Sequence, residues 1–237
     1  MGLGRAVAFI FDDPAWLTKI AVVMLLTALS LIPIVGLIAL AALLGYLIEI
    51  MLNVRRRNPV LLRHWSYTEK KIADGGMLLA AIFVYNLPNF LLTGCIMTAP
   101  GMFSGNVFIS GSLSLLSLCC ILPLMLVYTV ISWAMLAAGT IRFAESGQSS
   151  EFYRFGTLFS DIRRNQNATI QWVALATLLN FILMLLAITI CGNLAVLAFT
   201  IPVHAHLLGQ YAQQVDFAPP TASSPPLPSA PVPAKRR

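Results

Sequence analysis

Charge is scarce in this chain. Asp, Glu, Lys and Arg make up 10% of its 237 residues, against about 25% in an average soluble domain. Residues 20–48, 75–141 and 165–215 contain none of the four; these runs are 29, 67 and 51 residues long and cover 147 positions. Bilayer hydrocarbon is roughly 30 Å thick and takes about 20 apolar helical residues to cross. An ionised side chain at its centre costs at least ~2.5–3.5 kcal/mol, so long uncharged apolar runs are its imprint. With 58% hydrophobic residues, the chain has too few charges to cover a water-soluble surface. A soluble globular protein is excluded, and a polytopic membrane protein is expected.

Other absences narrow the chemistry. Four cysteines, Cys95, Cys119, Cys120 and Cys191, lie within the apolar runs without the spacing of a zinc or redox motif, and read as small buried hydrophobes. No phosphate-cradling Gly-rich loop follows a strand. His204 and His206 are two positions apart, which sets them about 200° apart around a helix and argues against joint chelation. His64 lies in a basic loop. Paired acids, a metal cluster and a nucleophile–base pair are all missing, so no enzymatic activity, cofactor or metal is expected. The first apolar run follows Asp12-Asp13-Pro14 rather than a basic leader, unlike a cleaved signal peptide. Asn167-Ala168-Thr169 matches a glycosylation acceptor, but it falls on the side assigned below to the cytoplasm.

Basic residues outnumber acidic ones, 15 to 9. In a soluble protein that excess would suggest nucleic acid. Here the basic residues sit in short loops beside apolar segments, the positive-inside pattern, so membrane lipids are the expected partners, other membrane proteins are further candidates, and nucleic acid is not expected.

The apolar runs divide at turn signals. Leu3, Val7 and Ile10 recur at helical spacing, so residues 1–13 read as a segment on the membrane surface. Asp13-Pro14 suits a helix start, Asp as N-cap and Pro at the first helical position. Pro33 and Gly36 then divide residues 14–53 into a hairpin of helices, 14–32 and 34–53. Arg55, Arg56, Arg57, Arg63, Lys70 and Lys71 mark a basic loop. Spans are expected at 74–98, kinked by Pro88, and at 112–141, which contains Pro123, with a charge-free loop over 99–111 between them. Arg142, Arg154, Arg163 and Arg164 mark a second basic segment. Within it Phe152, Phe155 and Phe159 share helical spacing, as an interfacial helix would. Spans 168–190 and 193–213 are expected to join at Cys191-Gly192-Asn193, Gly ending one helix and Asn capping the next.

The expected fold is therefore all-α: a polytopic transmembrane bundle of about six helices over residues 14–215, both termini cytoplasmic. Four spans plus a re-entrant N-terminal hairpin is the alternative, since either leaves all 15 Lys and Arg on one side. From residue 216 the composition changes: seven of the fourteen prolines fall in 216–237, and this tail, with its Pro225–Pro228 PxxP and basic end, is expected to be disordered. Leu44-Gly45-Tyr46 and Leu208-Gly209-Gln210-Tyr211 form a short internal echo.

Polar residues inside the spans are the candidates for function. Tyr85, Asn86 and Asn89 bracket Pro88, which frees a backbone carbonyl. They read as interhelical hydrogen-bonding residues or as a hydrated, substrate-contacting kink. Asn180 reads the same way. Glu49 is the acid embedded in an apolar helix. It reads as half of an interfacial ion pair, with Lys19 in reach, or as an ion or proton site. Trp16, Trp65, Trp133 and Trp172 read as aromatic-belt anchors.

Phe11-x-x-Pro14-x-Trp16-x-x-Lys19, Ile32-Pro33-Ile34-x-Gly36, Gly45-Tyr46, Trp65 and Asp74-Gly75 resemble the bacterial and archaeal membrane family known as domain of unknown function 4013. The ending Ala205-His206-Leu207-Leu208-Gly209-Gln210 is similar to that family's close, with Tyr211 one place early. The resemblance implies a multi-helix integral membrane protein and carries no activity. It adds His206, Gly209 and Gln210 to the residues of interest, so the candidate intramembrane polar set is Glu49, Tyr85, Asn86, Asn89 and His206.

The expected role is a non-enzymatic structural, lipid-interacting or partner-binding component of the bacterial cytoplasmic membrane. A small-solute transporter or channel using the Asn86–Asn89 kink and Glu49 is the alternative, and a membrane-embedded hydrolase ranks last. The topology is checked by single cysteines placed in 33–36, 99–111 and 191–193 of a cysteine-free variant. An impermeant maleimide should reach all three regions from the side opposite the basic loops, and labelling of any from the basic side would overturn the orientation.

Overall fold

The computed structural model describes residues 1–62, 65, 68–102, 105–215 and 217. Arg63, His64 and the Pro-rich segment 218–237 lie outside the described residues, as does the PxxP within it. Every regular element is helical. They run α1 (Leu3–Ala8), α2 (Trp16–Leu29), α3 (Val35–Arg55), α4 (Thr68–Met102), α5 (Val107–Leu116), a π-turn at Ser117–Ile121, α6 (Leu122–Ser146), a 3-10 turn at Ser149–Tyr153, α7 (Phe155–Arg164), α8 (Gln166–Leu186) and α9 (Ile190–Gln214). Among the described residues, five stretches are long and apolar enough to cross a bilayer: α3, α4, α5 continuing through α6, α8 and α9. The fold is a helical bundle of membrane-spanning character.

α3 is the central helix. In its most apolar window 61% of residues are buried, against 11% in α4 and 6% along Val107–Ser146. It packs on α2, α4 and α9. The α3–α4 contact brings two backbones together: a Cβ on Gly75 would collide with the Ala41 carbonyl, and one on Gly45 with the Lys71 carbonyl. Small residues four apart on one helix, facing a glycine on the next, are the usual way for membrane helices to approach this closely. Gly209 does the same between α9 and α3, against Val54 and the Met51 carbonyl. The echo noted in the sequence thus repeats a use. Gly45 admits the Lys71 backbone and Gly209 chiefly the Val54 side chain, while Tyr46 stacks on Trp65 at 4.6 Å and Tyr211 on Trp172 at 5.6 Å.

Several boundaries differ from the sequence expectation. The first hairpin helix is Trp16–Leu29, 14 residues or about 21 Å, shorter than the expected 14–32 and than the hydrocarbon layer. Its end is set by a tight turn. Val35 N–H bonds the Pro33 carbonyl at 2.9 Å across Ile34, which is held at φ 69°. That is a γ-turn, and it places a β-branched residue in the left-handed region. The expected loop at 99–111 is largely helical: α4 runs to Met102, and Asn106 caps α5 by accepting from Phe108 and Ile109 N–H. Pro123 cannot donate to the ladder, and the preceding turn widens into the π-turn, where Leu122 N–H reaches Ser117 O.

The last junction also moves. α8 ends at Leu186 and α9 begins at Ile190, capped by Thr189 Oγ1 from Gly192 N–H at 3.0 Å. Asn193 instead donates back to the Ala187 carbonyl at 2.7 Å. Gly192 lies inside α9, where a Cβ would strike the Leu186 carbonyl. α1 packs on α9, and Ala6 with the following Phe9 and Ile10 is buried in the same core cluster as Ala198, Val203 and Ala205. Phe152 turns into the core beside Gly139 and Phe143, leaving Phe155 and Phe159 exposed together. Trp172 is buried and Trp65 is stacked, so both pack within the bundle. Cys95, Cys119 and Cys120 face outward from the bundle instead of filling its core.

Gly75→Leu should drive apart the α3–α4 pair and lower the stability of the detergent-purified protein by about 1–3 kcal/mol, the usual cost of overpacking. Gly76→Leu, whose Cβ meets open space, should leave thermal unfolding unchanged; equal effects of the two would contradict the crossing.

Candidate functional site

The ion pairs gather where α3, α6 and α9 end and α2 and α4 begin. Lys19 bonds Asp13 Oδ2 at 2.6 Å and the Leu62 carbonyl at 2.5 Å, so it does not reach Glu49. Glu49 pairs with Lys71, Nζ to Oε2 at 3.1 Å. The Lys71 ammonium also lies 5.7 Å from the Tyr46 ring and 5.4 Å from the Trp65 ring, within cation–π range. Glu49, Tyr46, Trp65 and Lys71 are therefore one assembly, built on the backbone approach that Gly45 permits. The ion-pair reading of Glu49 holds, with a partner supplied by α4.

A second assembly holds the segment after α6. Arg142, 6% exposed, donates to Glu151 at 2.8 Å and Asp161 at 2.7 Å, and Arg154 donates to the other Glu151 oxygen at 2.9 Å. Burial pushes the Asp161 carboxyl above its ordinary value, opposed by the Arg142 guanidinium. Arg142 reads in the sequence as a loop charge; in the fold it ties α6 to the 3-10 turn and α7. The available signal was three acids, Glu145, Glu151 and Asp161, within twenty residues of it. Arg55 and Glu145 close the ring between α3 and α6 at 2.5 Å.

The polar residues around Pro88 form an interhelical set. Tyr85 hydroxyl donates to the Phe152 carbonyl at 2.8 Å, and Tyr128 hydroxyl donates to the Tyr85 carbonyl at 2.9 Å. Asn89 donates to Thr129 Oγ1 at 2.9 Å, leaving its own Oδ1 buried without a partner. Asn86 and Asn180 bond carbonyls of their own helices, Ile82 and Ala176. Tyr85 lies fourteen residues beyond Lys71, about 21 Å along α4. The fold does not bring the Glu49 pair and the Asn89 pair to one place.

His206 belongs to a third location. Its ring stacks on Phe9 at 4.4 Å. Gln210 fixes its proton: the Gln210 Oε1 accepts from Gly2 N–H at 2.7 Å, and its Nε2 donates to the Gly2 carbonyl at 3.2 Å. The remaining amide proton must then point at His206 Nδ1, 3.0 Å away, so the neutral ring carries its hydrogen on Nε2. These residues border a polar cavity of about 780 Å³ that also meets Arg5, Arg57 and Gln213. His204 bonds the Thr200 carbonyl and lines a separate apolar cavity of about 280 Å³ with Trp133 and Trp172. The two histidines are thus parted as their spacing predicts. Among the described residues, no group of three or more His, Cys, Asp or Glu is placed to hold a metal ion.

The model of the family described as "Protein of unknown function (DUF4013)" matches residues 28–192, and the chain belongs to that family. The match takes in Ile32-Pro33-Ile34-x-Gly36, Gly45-Tyr46, Trp65 and Asp74-Gly75; the Phe11–Lys19 and Ala205–Tyr211 motifs lie outside it. No curated protein and no solved structure matches the chain significantly. The family residues inside the match, Gly45, Tyr46, Trp65 and Gly75, are those of the α3–α4 crossing.

Arg142→Leu leaves Glu151 and Asp161 buried with too little positive charge. It should destabilise the protein by about 3–5 kcal/mol. Adding Glu151→Gln and Asp161→Asn should recover most of that loss, read as thermal unfolding in detergent.

Proposed function

We propose that this protein is a non-enzymatic component of the bacterial cytoplasmic membrane that interacts with lipid and with other membrane proteins, its charged end facing the cytoplasm. The observation carrying this reading is where the intramembrane polar groups are used. Glu49 is ion-paired with Lys71, and Tyr85, Asn86 and Asn89 each donate a hydrogen bond to another group of this chain. None of the four borders the polar cavity or the apolar one. A transport path would need such groups free along a common route. The outer faces of α4, α5 and α6 meanwhile present long apolar side chains, Phe83, Phe90, Leu115, Leu124 and Leu126 among them, to whatever surrounds the bundle. The concentration of Lys and Arg at one end supports the orientation.

Purified and reconstituted protein should pass ions and small solutes no faster than empty liposomes, and Asn86→Leu/Asn89→Leu should change nothing. Native mass spectrometry should show phospholipid retained through gentle detergent extraction. Flux abolished by that double substitution would favour the transporter reading instead.

A further inference from the structure

We infer that the cavity between α1, α3 and α9 is a binding site for a phosphate-bearing anion, with Arg5 and Arg57 as its charged ligands. The inference rests on the lipid-interacting reading above and gives that reading a place. The cavity, about 780 Å³, is bordered by Arg5, Arg57, Asn58, His206, Gln210 and Gln213, and none of its described lining residues is acidic. That volume suits a headgroup-sized ligand.

Its two arginines are free of ion pairs, while its Asn58, Gln210 and Gln213 side chains are tied up in bonds within the chain. Neither Arg5 nor Arg57 has an ion-pair partner among the described residues, unlike Arg55, Arg142 and Arg154. A basic side chain beside a helix C-terminus often serves the last carbonyls, but at the end of α3 those of Asn53 and Val54 are already satisfied. Asn58 N–H bonds Asn53 O at 2.9 Å, Arg57 N–H bonds Val54 O at 3.0 Å, and Gln213 also donates to Val54 O. On the opposite wall, Gln210 holds His206 in the form that leaves Nε2–H as a donor. Two guanidinium groups and an imidazole N–H in a concave pocket with no acid among its described lining residues match the oxygens of a phosphate.

Arg57 adds an independent observation. It occupies the position after the C-cap of α3 with φ 54°, where the 6→1 and 5→2 bonds of a Schellman ending favour glycine. A non-glycine residue in that conformation costs stability, and such strain is kept where the side chain has a use. Here the side chain borders the cavity.

The test uses the full chain in gentle detergent, probed by native mass spectrometry with phosphatidylglycerol or phosphatidylcholine, and separately with inorganic phosphate. Each arginine contributes charge-assisted hydrogen bonds, so Arg5→Gln/Arg57→Gly should weaken anion binding by about 100-fold. Arg57→Gly alone should raise the thermal midpoint while weakening binding about 10-fold, opposite signs that a purely structural arginine would not give. Arg163→Gln/Arg164→Gln on α7, away from the cavity, should bind as wild type. Arginine-dependent preference for phosphatidylglycerol assigns the site to a lipid headgroup. Arginine-dependent binding of inorganic phosphate alone keeps the anion site and removes the lipid assignment. Unchanged binding in Arg5→Gln/Arg57→Gly, or an equal loss in Arg163→Gln/Arg164→Gln, overturns the site while leaving lipid retention standing. A wild-type protein that binds no probe overturns both readings.

Discussion

The bundle depends on two helix backbones meeting where side chains are missing. Gly75 on α4 lies against the Ala41 carbonyl of α3, and Gly45 on α3 lies against the Lys71 carbonyl of α4. Lipid surrounds membrane helices with a medium as apolar as their own side chains, so close packing and polar contacts, more than solvent exclusion, hold them together. Bringing α3 and α4 this near places Lys71 within reach of Glu49 and over the Tyr46 and Trp65 rings. One geometric concession, the absence of a Cβ, thus positions an ion pair and an aromatic stack.

The charged end is held by ion pairs that cross between elements. Arg142 joins α6 to the 3-10 turn and α7, and Arg55–Glu145 joins α3 to α6. Buried pairs of this kind often add little net stability, because desolvation offsets attraction, but they punish loss of one partner. Their effect here is to fix where the segment between α6 and α8 returns. That return carries the Phe152 ring into the core and its carbonyl onto the Tyr85 hydroxyl. The two ends of α6 are therefore unlike: one lies among ion pairs, while Val107–Ser146 leaves most of its apolar surface outward.

The polar cavity and the Asn89 region illustrate two uses of polar groups in one bundle. Around Pro88 the Tyr85 and Tyr128 hydroxyls and the Asn89 amide N–H join α4 to α6 and to the 3-10 turn, while Asn86 bonds within α4. Between α1, α3 and α9 the internal bonds instead hold a wall in place, beside two arginines that line the cavity without an ion pair among the described residues.

Membrane character, an all-helical fold and charges gathered at one end were legible because each follows from composition along the chain: a helix in hydrocarbon satisfies its own backbone and tolerates few charges. Glu49, Tyr85, Asn86 and Asn89 stood out as intramembrane polar groups for the same reason, while His206 entered through the family resemblance. Their partners were not legible. Lys71 rather than Lys19 meets Glu49, and Gln210, aligned by Gly2, sets the His206 proton, because those meetings depend on which helices touch. Gly192 reads locally as a terminator but lies inside α9, since its use is to clear the Leu186 carbonyl. Local chemistry along the chain determined what forms; the approach of distant backbones, where a single missing Cβ decides the distance, determined what each polar group can do.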